Sequence, residues 1–287
     1  MHEESAVNTA ITLLTLLMCT AVMSAYAVRV ARAGRAKLAR LGPKPGSPLL
    51  PGWLVEAFYW AMHAPAAALI RSGASPDTLT YASLVFSAAS LPLIAAGHFT
   101  MAVVAIVVGA VLDAMDGMVA RARRIASPSG AVLDSCVDRV SDSAPFIGLA
   151  IFFRDNVVTL VIPLVAMVAS SMVSYARAKS DQHGLKLPNG LMRRHERVVY
   201  VSASLLAAPL VPALPLTGGV RYPLALVGPA LIAVLGSVAA VVLIGRMRAA
   251  LMALEPPKPV EPAKIEPVKV EPTVRAPVGG LPVENRG

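Results

Sequence analysis

Long uncharged and mostly apolar runs alternate along the chain with short polar segments. Four of these runs each reach the roughly 20 residues that a helix needs to cross a bilayer: Ser5–Val28, Asn156–Ala176, Val198–Val220 and Tyr222–Gly245. A fifth run, Thr78–Leu112, is too long for one span, and the Gly97-His98 pair near its middle is typical of a turn. This run therefore predicts a helical hairpin.

Two further membrane helices have to extend into polar sequence. The second arm of the hairpin, from about Phe99, reaches span length only if it continues to about Arg121. The run Ser143–Phe153 is too short to cross alone and has to begin near Gly130. Both extensions place carboxylates on membrane helices: Asp113, Asp116, Asp134 and Asp138. The four runs, the two hairpin arms and this last helix make seven predicted spans in an all-α, polytopic membrane protein.

The composition agrees with that fold class, and the distribution of charge predicts how the chain is oriented in the membrane. The chain is 56% hydrophobic and 15% charged, whereas soluble domains have about 25% charged residues. Residues 29–44 contain six Lys or Arg and no acid, while the first five residues are acidic. Since basic loops stay on the cytoplasmic side, the N-terminus is predicted outside. The same alternation puts the aspartates at the cytoplasmic face of the cell membrane.

The flanking sequence predicts four segments. These are an extra N-terminal transmembrane helix at 1–30, a basic cytoplasmic linker at 31–51, a membrane domain at 52–248 and a Pro-rich, disordered cytoplasmic tail at 249–287. The Ala25-Tyr26-Ala27 tripeptide resembles a signal-peptidase site, but the acidic leader argues against cleavage. The helix that carries Trp53 and Trp60 lies in the headgroup layer or serves only as a linker; both interpretations stay open.

Charge distribution also narrows the class of ligand. From Glu255 onward five acids balance five bases, so the whole net charge of +9 belongs to the membrane part. Positive charge facing the cytoplasm favours anionic lipids and phosphorylated substrates as partners, rather than nucleic acid.

The carboxylates fall on two helix faces. At 100° per residue, Asp113 and Asp116 share one face, and Gly130, Asp134 and Asp138 share another. Charges are costly in a bilayer and face one another, water or an ion. A single aspartate would more simply cap a helix or pair with a base. Four without matching lysines favour a site for a hard cation such as Mg²⁺, Mn²⁺ or Ca²⁺.

The residues beside the carboxylates favour a phosphate ligand. Gly117 and Gly130 permit close approach, and Arg121 lies about two turns beyond Asp113, where it could bind a phosphate in a bidentate manner. Carboxylates that hold metals beside an arginine and small residues suggest a bound pyrophosphate.

The complete pattern, beginning at Asp113, reads D-x-x-D-G-x-x-A-R-x8-G-x3-D-x3-D. It resembles the signature of the CDP-alcohol phosphotransferase (CDP-alcohol phosphatidyltransferase) family, and the resemblance extends over about residues 52–248. It implies a six-helix core preceded by an interfacial helix. It also implies an enzyme of phospholipid biosynthesis that transfers a phosphatidyl group from CDP-diacylglycerol to a small alcohol and releases CMP.

The resemblance also implies roles for individual residues. Two Mg²⁺ ions, with Mn²⁺ as an alternative, would be held by Asp113, Asp116, Asp134 and Asp138. Asp138 would in addition act as the general base for the acceptor hydroxyl. The CDP group would be bound by Asp113, Gly117, Ala120, Arg121 and Gly130. Members of the family are typically homodimers.

A basic segment at residues 174–200 indicates what kind of acceptor the protein would bind. Ser174–Lys179 and Arg194–Arg197 are similar to the motifs S-Y-x-[RK]-A-[RK] and R-x-E-R of the inositol-phosphate-using branch, although His195 stands where proline is common. A phosphate on the acceptor would be bound by Arg177, Lys179, Arg194 and Arg197. Glycerol 3-phosphate would suit the same pocket, as in a phosphatidylglycerophosphate synthase, and the positive-inside rule alone could also explain the charges.

Intramembrane carboxylates also mark ion pathways, so a divalent-cation-binding or ion-transport protein is the alternative from another class. Transport predicts acidic residues continuing across the membrane. None of the predicted spans has an acid in its outer half, which favours the enzyme.

Overall fold

The computed structural model describes residues 14, 17, 20–32, 34, 51–185, 187, 190–211 and 220–254, and the regular structure in these ranges is helical. The first helix, α1, covers residues 20–32. Seven more follow: α2 (Gly52–Ser72), α3 (Pro76–Ala95), α4 (Phe99–Ala122), α5 (Pro128–Phe152), α6 (Val157–Gln182), α7 (Arg194–Ala207) and α8 (Val227–Leu254). Short 3₁₀ turns occupy Ala208–Leu210 and Pro223–Leu226. The all-α prediction is confirmed.

Within the described residues, four helical segments are long and apolar enough to cross a membrane, which makes the protein a multi-pass membrane protein. They are α3, α4, α6 and the continuous segment Pro223–Leu254 that contains α8. The predicted hairpin is formed by α3 and α4, with its turn at Gly97. Helix α5, with 25 residues, is longer than α3 and α4, but charged residues occupy its N-terminal half.

The structure contradicts one predicted helix boundary. The run Val198–Val220 was expected to form a single helix, but α7 ends at Ala207 and a 3₁₀ turn follows. The 14 residues of α7 extend about 21 Å at 1.5 Å per residue, which is short of a hydrocarbon core of about 30 Å. Pro209 explains the end of the helix, because its ring has no N–H group to donate and blocks the preceding turn.

The predicted flanks are covered only in part. The N-terminal span falls partly outside the described residues, and its described portion in α1 is helical. The tail was predicted to begin at residue 249, but α8 continues to Leu254, so the first six residues of that segment are helical. Of the basic linker predicted at 31–51, residues 31–32 belong to α1, whereas 33 and 35–50 lie outside the described residues, as do 255–287 of the predicted tail.

Small residues bring the site-bearing helices together. A Cβ at Gly109 of α4 would lie 2.2 Å from the Ser87 Oγ of α3, and a Cβ at Gly148 of α5 would lie 2.7 Å from the Leu91 carbonyl oxygen. Only glycine permits these approaches, as is common where membrane helices pack closely. Helix α3 is therefore in contact with both α4 and α5, and these contacts fix the carboxylate-bearing helices relative to each other.

Candidate active site

Helix α4 carries the first two carboxylates near its C-terminal end. Asp113 and Asp116 are three residues apart and lie on one helical face. Asp116 is buried, and its Oδ2 accepts a hydrogen bond of 2.5 Å from the hydroxyl of Thr80 on α3. Asp113 Oδ2 accepts a hydrogen bond from Arg194. The α3–α4 hairpin therefore holds Asp116 in a fixed orientation.

Helix α5 begins so that its own aspartate faces this pair. Ser127 is the N-cap, its Oγ accepts from the Gly130 N–H at 3.1 Å, and Pro128 occupies the first turn. One turn later the chain reaches Asp134. Three carboxylates from two helices can each offer an oxygen such that all the oxygens lie within 4.8 Å of one another: Asp113, Asp116 and Asp134.

This cluster fits a divalent metal ion. Carboxylate oxygens are the hard ligands that Mg²⁺ and Mn²⁺ prefer. Asp113 Oδ1 is buried and has no hydrogen-bond partner in the described part of the chain, and a buried carboxylate oxygen in that state is costly unless a cation or donor faces it. The geometry therefore supports divalent metal binding by three of the four predicted ligands.

Helix α7 brings the arginines to the cluster from the opposite side. Its first turn is stabilised by Glu196, which is fully buried and accepts the Arg193 N–H through Oε2 at 2.8 Å. This cap fixes where α7 begins, and it directs Arg194 and Arg197 towards α5.

Asp138, the fourth predicted ligand, lies beside the three-carboxylate cluster and is paired with Arg194. Its Oδ1 lies 2.8 Å from Arg194 Nη1, which also contacts Asp113. One guanidinium nitrogen therefore contacts both Asp138 and a member of the cluster. Burial by itself lowers the pKa of the Arg194 guanidinium, but Asp142, Asp113 and Asp138 raise it above its ordinary value, so this arginine stays cationic.

A fifth aspartate, Asp142, lies one turn beyond Asp138 on α5. It accepts from Arg194 Nε through Oδ1 at 3.0 Å and from Arg197 Nη2 through Oδ2 at 2.7 Å. Arg197 is only 4% exposed and also donates to the Ser174 hydroxyl and the Met192 carbonyl oxygen. Both arginines are thus held by one carboxylate.

The residues predicted to bind CDP follow the carboxylates closely. A Cβ at Gly117 would lie 3.0 Å from both terminal nitrogens of Arg121, so the arginine lies directly over the glycine. Ala120 follows one turn after Asp116 on α4, and Gly130 is in the first turn of α5. The predicted CDP-binding residues therefore surround the same end of α4 and α5.

The remaining acceptor residues lie on the last turns of α6. Arg177 Nη2 is buried, has no hydrogen-bond partner among the described residues, and lies 3.2 Å from where Gly190 would carry a Cβ. Lys179 donates 3.0 Å to the Gln182 side chain in the next turn. Arg177 is therefore oriented inward beneath Gly190, whereas Lys179 contacts its own helix.

Sequence reasoning missed three contacts that organise the site. Asp142 continues the interval of four that joins Asp134 to Asp138, so the spacing could have included it. Thr80 and Ser174 gave no such signal, because their roles depend on which helices are neighbours. A hydroxyl in an apolar span is unremarkable until the fold places a carboxylate or guanidinium beside it.

These features define a membrane-embedded enzyme-like site that combines metal-binding carboxylates with buried arginines. The chain belongs to the CDP-alcohol phosphatidyltransferase family, whose family model matches residues 74–234, more than half of its length. The predicted family membership is confirmed.

The relatives described here share one name within that family, phosphatidylinositol phosphate synthase. The chain is 37% identical over 145 residues to the phosphatidylinositol phosphate synthase of Mycobacteroides abscessus; the match covers 49% of this chain and 66% of the relative. It thus spans slightly less than two thirds of that relative's length. The corresponding synthase of Mycobacterium tuberculosis has been solved with manganese and citrate, and this structure matches at a TM-score of 0.57 and 28% identity, over 65% of this chain and 88% of the other.

The same M. tuberculosis enzyme has also been solved with CDP-DAG bound. That structure matches this chain at a TM-score of 0.56 and 28% identity and covers 65% of this chain and 92% of the other. Residues 1–73 and 235–287 lie outside the part of this chain that the family model matches.

Proposed function

We propose that this protein transfers the phosphatidyl group of CDP-diacylglycerol to the hydroxyl of an inositol phosphate and releases CMP. The observation that carries the proposal is the contact between Arg194 and Asp113 of the three-carboxylate cluster. This contact places a cation suited to phosphate directly beside carboxylates suited to a metal ion. The relatives named phosphatidylinositol phosphate synthase and the CDP-DAG-bound neighbour support the same reaction and the same acceptor.

Two Mg²⁺ ions, or Mn²⁺ in their place, are proposed to bind at Asp113, Asp116, Asp134 and Asp138. When bound, they would supply positive charge that neutralises the pyrophosphate and the leaving CMP. The manganese in the structural neighbour supports a divalent ion of this class. Gly117, Ala120, Arg121 and Gly130 are proposed to bind the CDP group together with Asp113.

The reaction is a displacement at the phosphorus that carries the diacylglycerol. The acceptor oxygen forms a new P–O bond, the bond to the bridging pyrophosphate oxygen breaks, and CMP leaves with that oxygen. Asp138 is proposed to take the proton of the acceptor hydroxyl. Its position beside the carboxylate cluster, with Oδ1 2.8 Å from Arg194 Nη1, supports this role, because the hydroxyl has to approach between donor and acceptor sites.

The acceptor phosphate is proposed to bind Arg177, Lys179, Arg194 and Arg197. Of these, Arg194 is nearest the carboxylates and remains 27% exposed, while the inward-facing Arg177 supplies a second cation beneath Gly190. Charge-assisted contacts from guanidinium groups suit a phosphate better than a neutral alcohol. This favours a phosphorylated acceptor over free inositol or serine.

The protein is further proposed to lie in the cell membrane with this site facing the cytoplasm, and to form a homodimer. The carboxylates occupy the same end of the bundle as Arg123, Arg124 and Lys179, and a surplus of basic residues at one end supports a cytoplasmic orientation. A water-soluble acceptor would then reach the membrane-bound donor directly.

The test is Mg²⁺-dependent CMP release from CDP-diacylglycerol by the purified full-length protein. Inositol 1-phosphate, glycerol 3-phosphate, free inositol and serine are offered in parallel. We expect release with inositol 1-phosphate, loss of release in Asp138→Asn, and normal release in Asp155→Asn, which changes an aspartate that is 93% exposed. Release with glycerol 3-phosphate alone would show that the acceptor is glycerol 3-phosphate and not an inositol phosphate. No release with any acceptor would refute the proposed reaction.

A further inference from the structure

We propose that Asp142 is a positioning residue that orients Arg194 and Arg197 for a phosphate group on the acceptor. It lies outside the aspartate signature, which ends at Asp138. The inference rests on the proposed function, since it assigns Arg194 and Arg197 to the acceptor.

The argument begins with two like charges that share a confined space. Arg194 and Arg197 are three residues apart on α7 and face the same helix, so their guanidinium groups repel each other. Asp142 lies between them and uses a separate oxygen for each, at 3.0 Å to Arg194 Nε and 2.7 Å to Arg197 Nη2. One carboxylate therefore offsets the repulsion and fixes the spacing of the pair.

The contacts of Arg194 show which of its nitrogens remains for a ligand. Nε donates to Asp142, and Nη1 contacts Asp113 and Asp138. In the described part of the chain no hydrogen bond or ion pair involves Nη2. Because Nε is the nitrogen closest to the aliphatic chain, its bond to Asp142 sets the plane of the whole guanidinium and hence the direction of Nη2.

Arg197 contributes rigidity through its two terminal nitrogens, while its buried Nε has no hydrogen-bond partner among the described residues. Its Nη1 donates to the Met192 carbonyl oxygen at 2.7 Å, and Nη2 is shared between Asp142 and the Ser174 hydroxyl. These bonds link the loop before α7, helix α6 and helix α5 through one buried side chain. The Arg197 guanidinium therefore holds the Asp142 carboxylate in place. The fixed carboxylate in turn restricts the more exposed Arg194 side chain.

Asp142 is distinguishable in function from the four signature aspartates. Both of its oxygens contact arginines, and the three-carboxylate cluster does not include it. Its loss should therefore affect acceptor binding and leave the affinity for the CDP-lipid and for Mg²⁺ nearly unchanged. A purely structural role would instead reduce the amount of folded enzyme, or alter both substrates together.

The test uses Asp142→Asn, Asp142→Glu and the control Asp155→Asn in the full-length protein. Steady-state CMP release gives kcat and both KM values, and calorimetric titration with inositol 1-phosphate measures acceptor binding without turnover. For Asp142→Asn we expect the acceptor KM to rise about 10-fold or more, the size of one lost charge-assisted contact, with the CDP-diacylglycerol KM changed less than about 2-fold. Asp142→Glu should recover part of the loss.

A double-mutant comparison adds a second readout. Adding Asp142→Asn to Arg194→Ala should change the acceptor KM by less than adding it to the wild type, because the contact between Asp142 and Arg194 is already lost and only the contact with Arg197 remains. Additive effects, or equal KM increases for both substrates, would overturn the inference.

The titration separates this inference from the proposed function. If the wild type binds inositol 1-phosphate but releases no CMP, and Asp142→Asn loses that binding, the proposed function fails and the positioning role stands. If the wild type is active and Asp142→Asn behaves like Asp155→Asn, the positioning role fails and the function stands. If the wild type neither binds nor reacts, both are refuted.

Discussion

Arg194→Ala is the most informative single substitution in the site. Arg194 makes an ion pair with each of three carboxylates, Asp113, Asp138 and Asp142, through its Nη1 and Nε atoms. Removal would therefore delete the cation proposed to bind the acceptor phosphate and would leave three neighbouring carboxylates without their shared partner. Among the proposed donor-binding residues on α4, Asp113 would lose this contact.

The magnitude follows from the contacts. Hydrogen bonds to charged groups contribute about 1.5–3 kcal/mol, and breaking a buried ion pair costs about 3–5 kcal/mol. Because the Arg194 side chain is 27% exposed, solvent screening lowers the second figure, and we take ~2–3 kcal/mol for the lost acceptor binding. At about 1.4 kcal/mol per tenfold change, the acceptor KM should rise ~30–150-fold.

The assay is CMP release with each substrate varied in turn, and Arg154→Ala is the matched control because that arginine is largely exposed at the other end of the bundle. We expect the CDP-diacylglycerol KM to change less than about 3-fold, since Arg194 is not among the proposed donor ligands. Arg194→Lys should fall between the wild type and Arg194→Ala, because an ammonium keeps the charge but cannot donate from a planar fork. An equal increase of both KM values would refute the acceptor assignment.

Further substitutions test the rest of the site. Asp138→Asn should abolish turnover while CDP-diacylglycerol binding is partly retained in a direct binding assay; near-normal turnover would exclude the base role. Thr80→Val removes the hydroxyl that donates to Asp116 and should raise the Mg²⁺ concentration for half-maximal activity about 10-fold or more, while Thr80→Ser should not. Gly148→Ala brings a Cβ within 2.7 Å of a backbone oxygen and should lower the thermal unfolding midpoint by the equivalent of about 1–3 kcal/mol; Gly245→Ala, with open space around it, should not, and equal midpoints would contradict the packing argument. EDTA should remove CMP release and added Mg²⁺ or Mn²⁺ should restore it; activity that survives chelation would exclude the metal role.

The sequence predicted the parts of the site that depend on helical periodicity. Asp113 and Asp116 share a face because of an interval of three, and the interval of four from Asp134 onward turns the α5 carboxylates the same way. The pairing of the two helices also followed, because unpaired charges in a bilayer have to meet something. These inferences depend only on the periodicity of each single helix and on the free-energy cost of an unpaired charge in the bilayer.

The sequence could not predict features that depend on contacts between distant segments. Ser174 and Asp142 meet through Arg197, and Thr80 meets Asp116 across the hairpin; no local pattern encodes those distances. The length of α7 was also misjudged, because the apolar run around Pro209 continues past the point where the backbone stops being helical. Hydropathy reports which solvent a segment prefers, whereas proline determines where its helix ends.

Formal charge connects the arginine pair to the proposed metal content of the site. Asp113, Asp116, Asp134, Asp138 and Asp142 carry five negative charges, and Arg194 and Arg197 offset two of them, which leaves three. One divalent ion would leave the site negative by one charge, and the anionic pyrophosphate of the donor would then be repelled at short range. Two divalent ions would make the site positive by one charge before the donor binds. The formal charge of these groups is therefore better matched to the proposed pair of ions than to a single ion, because only the pair leaves a positive site for the anionic donor.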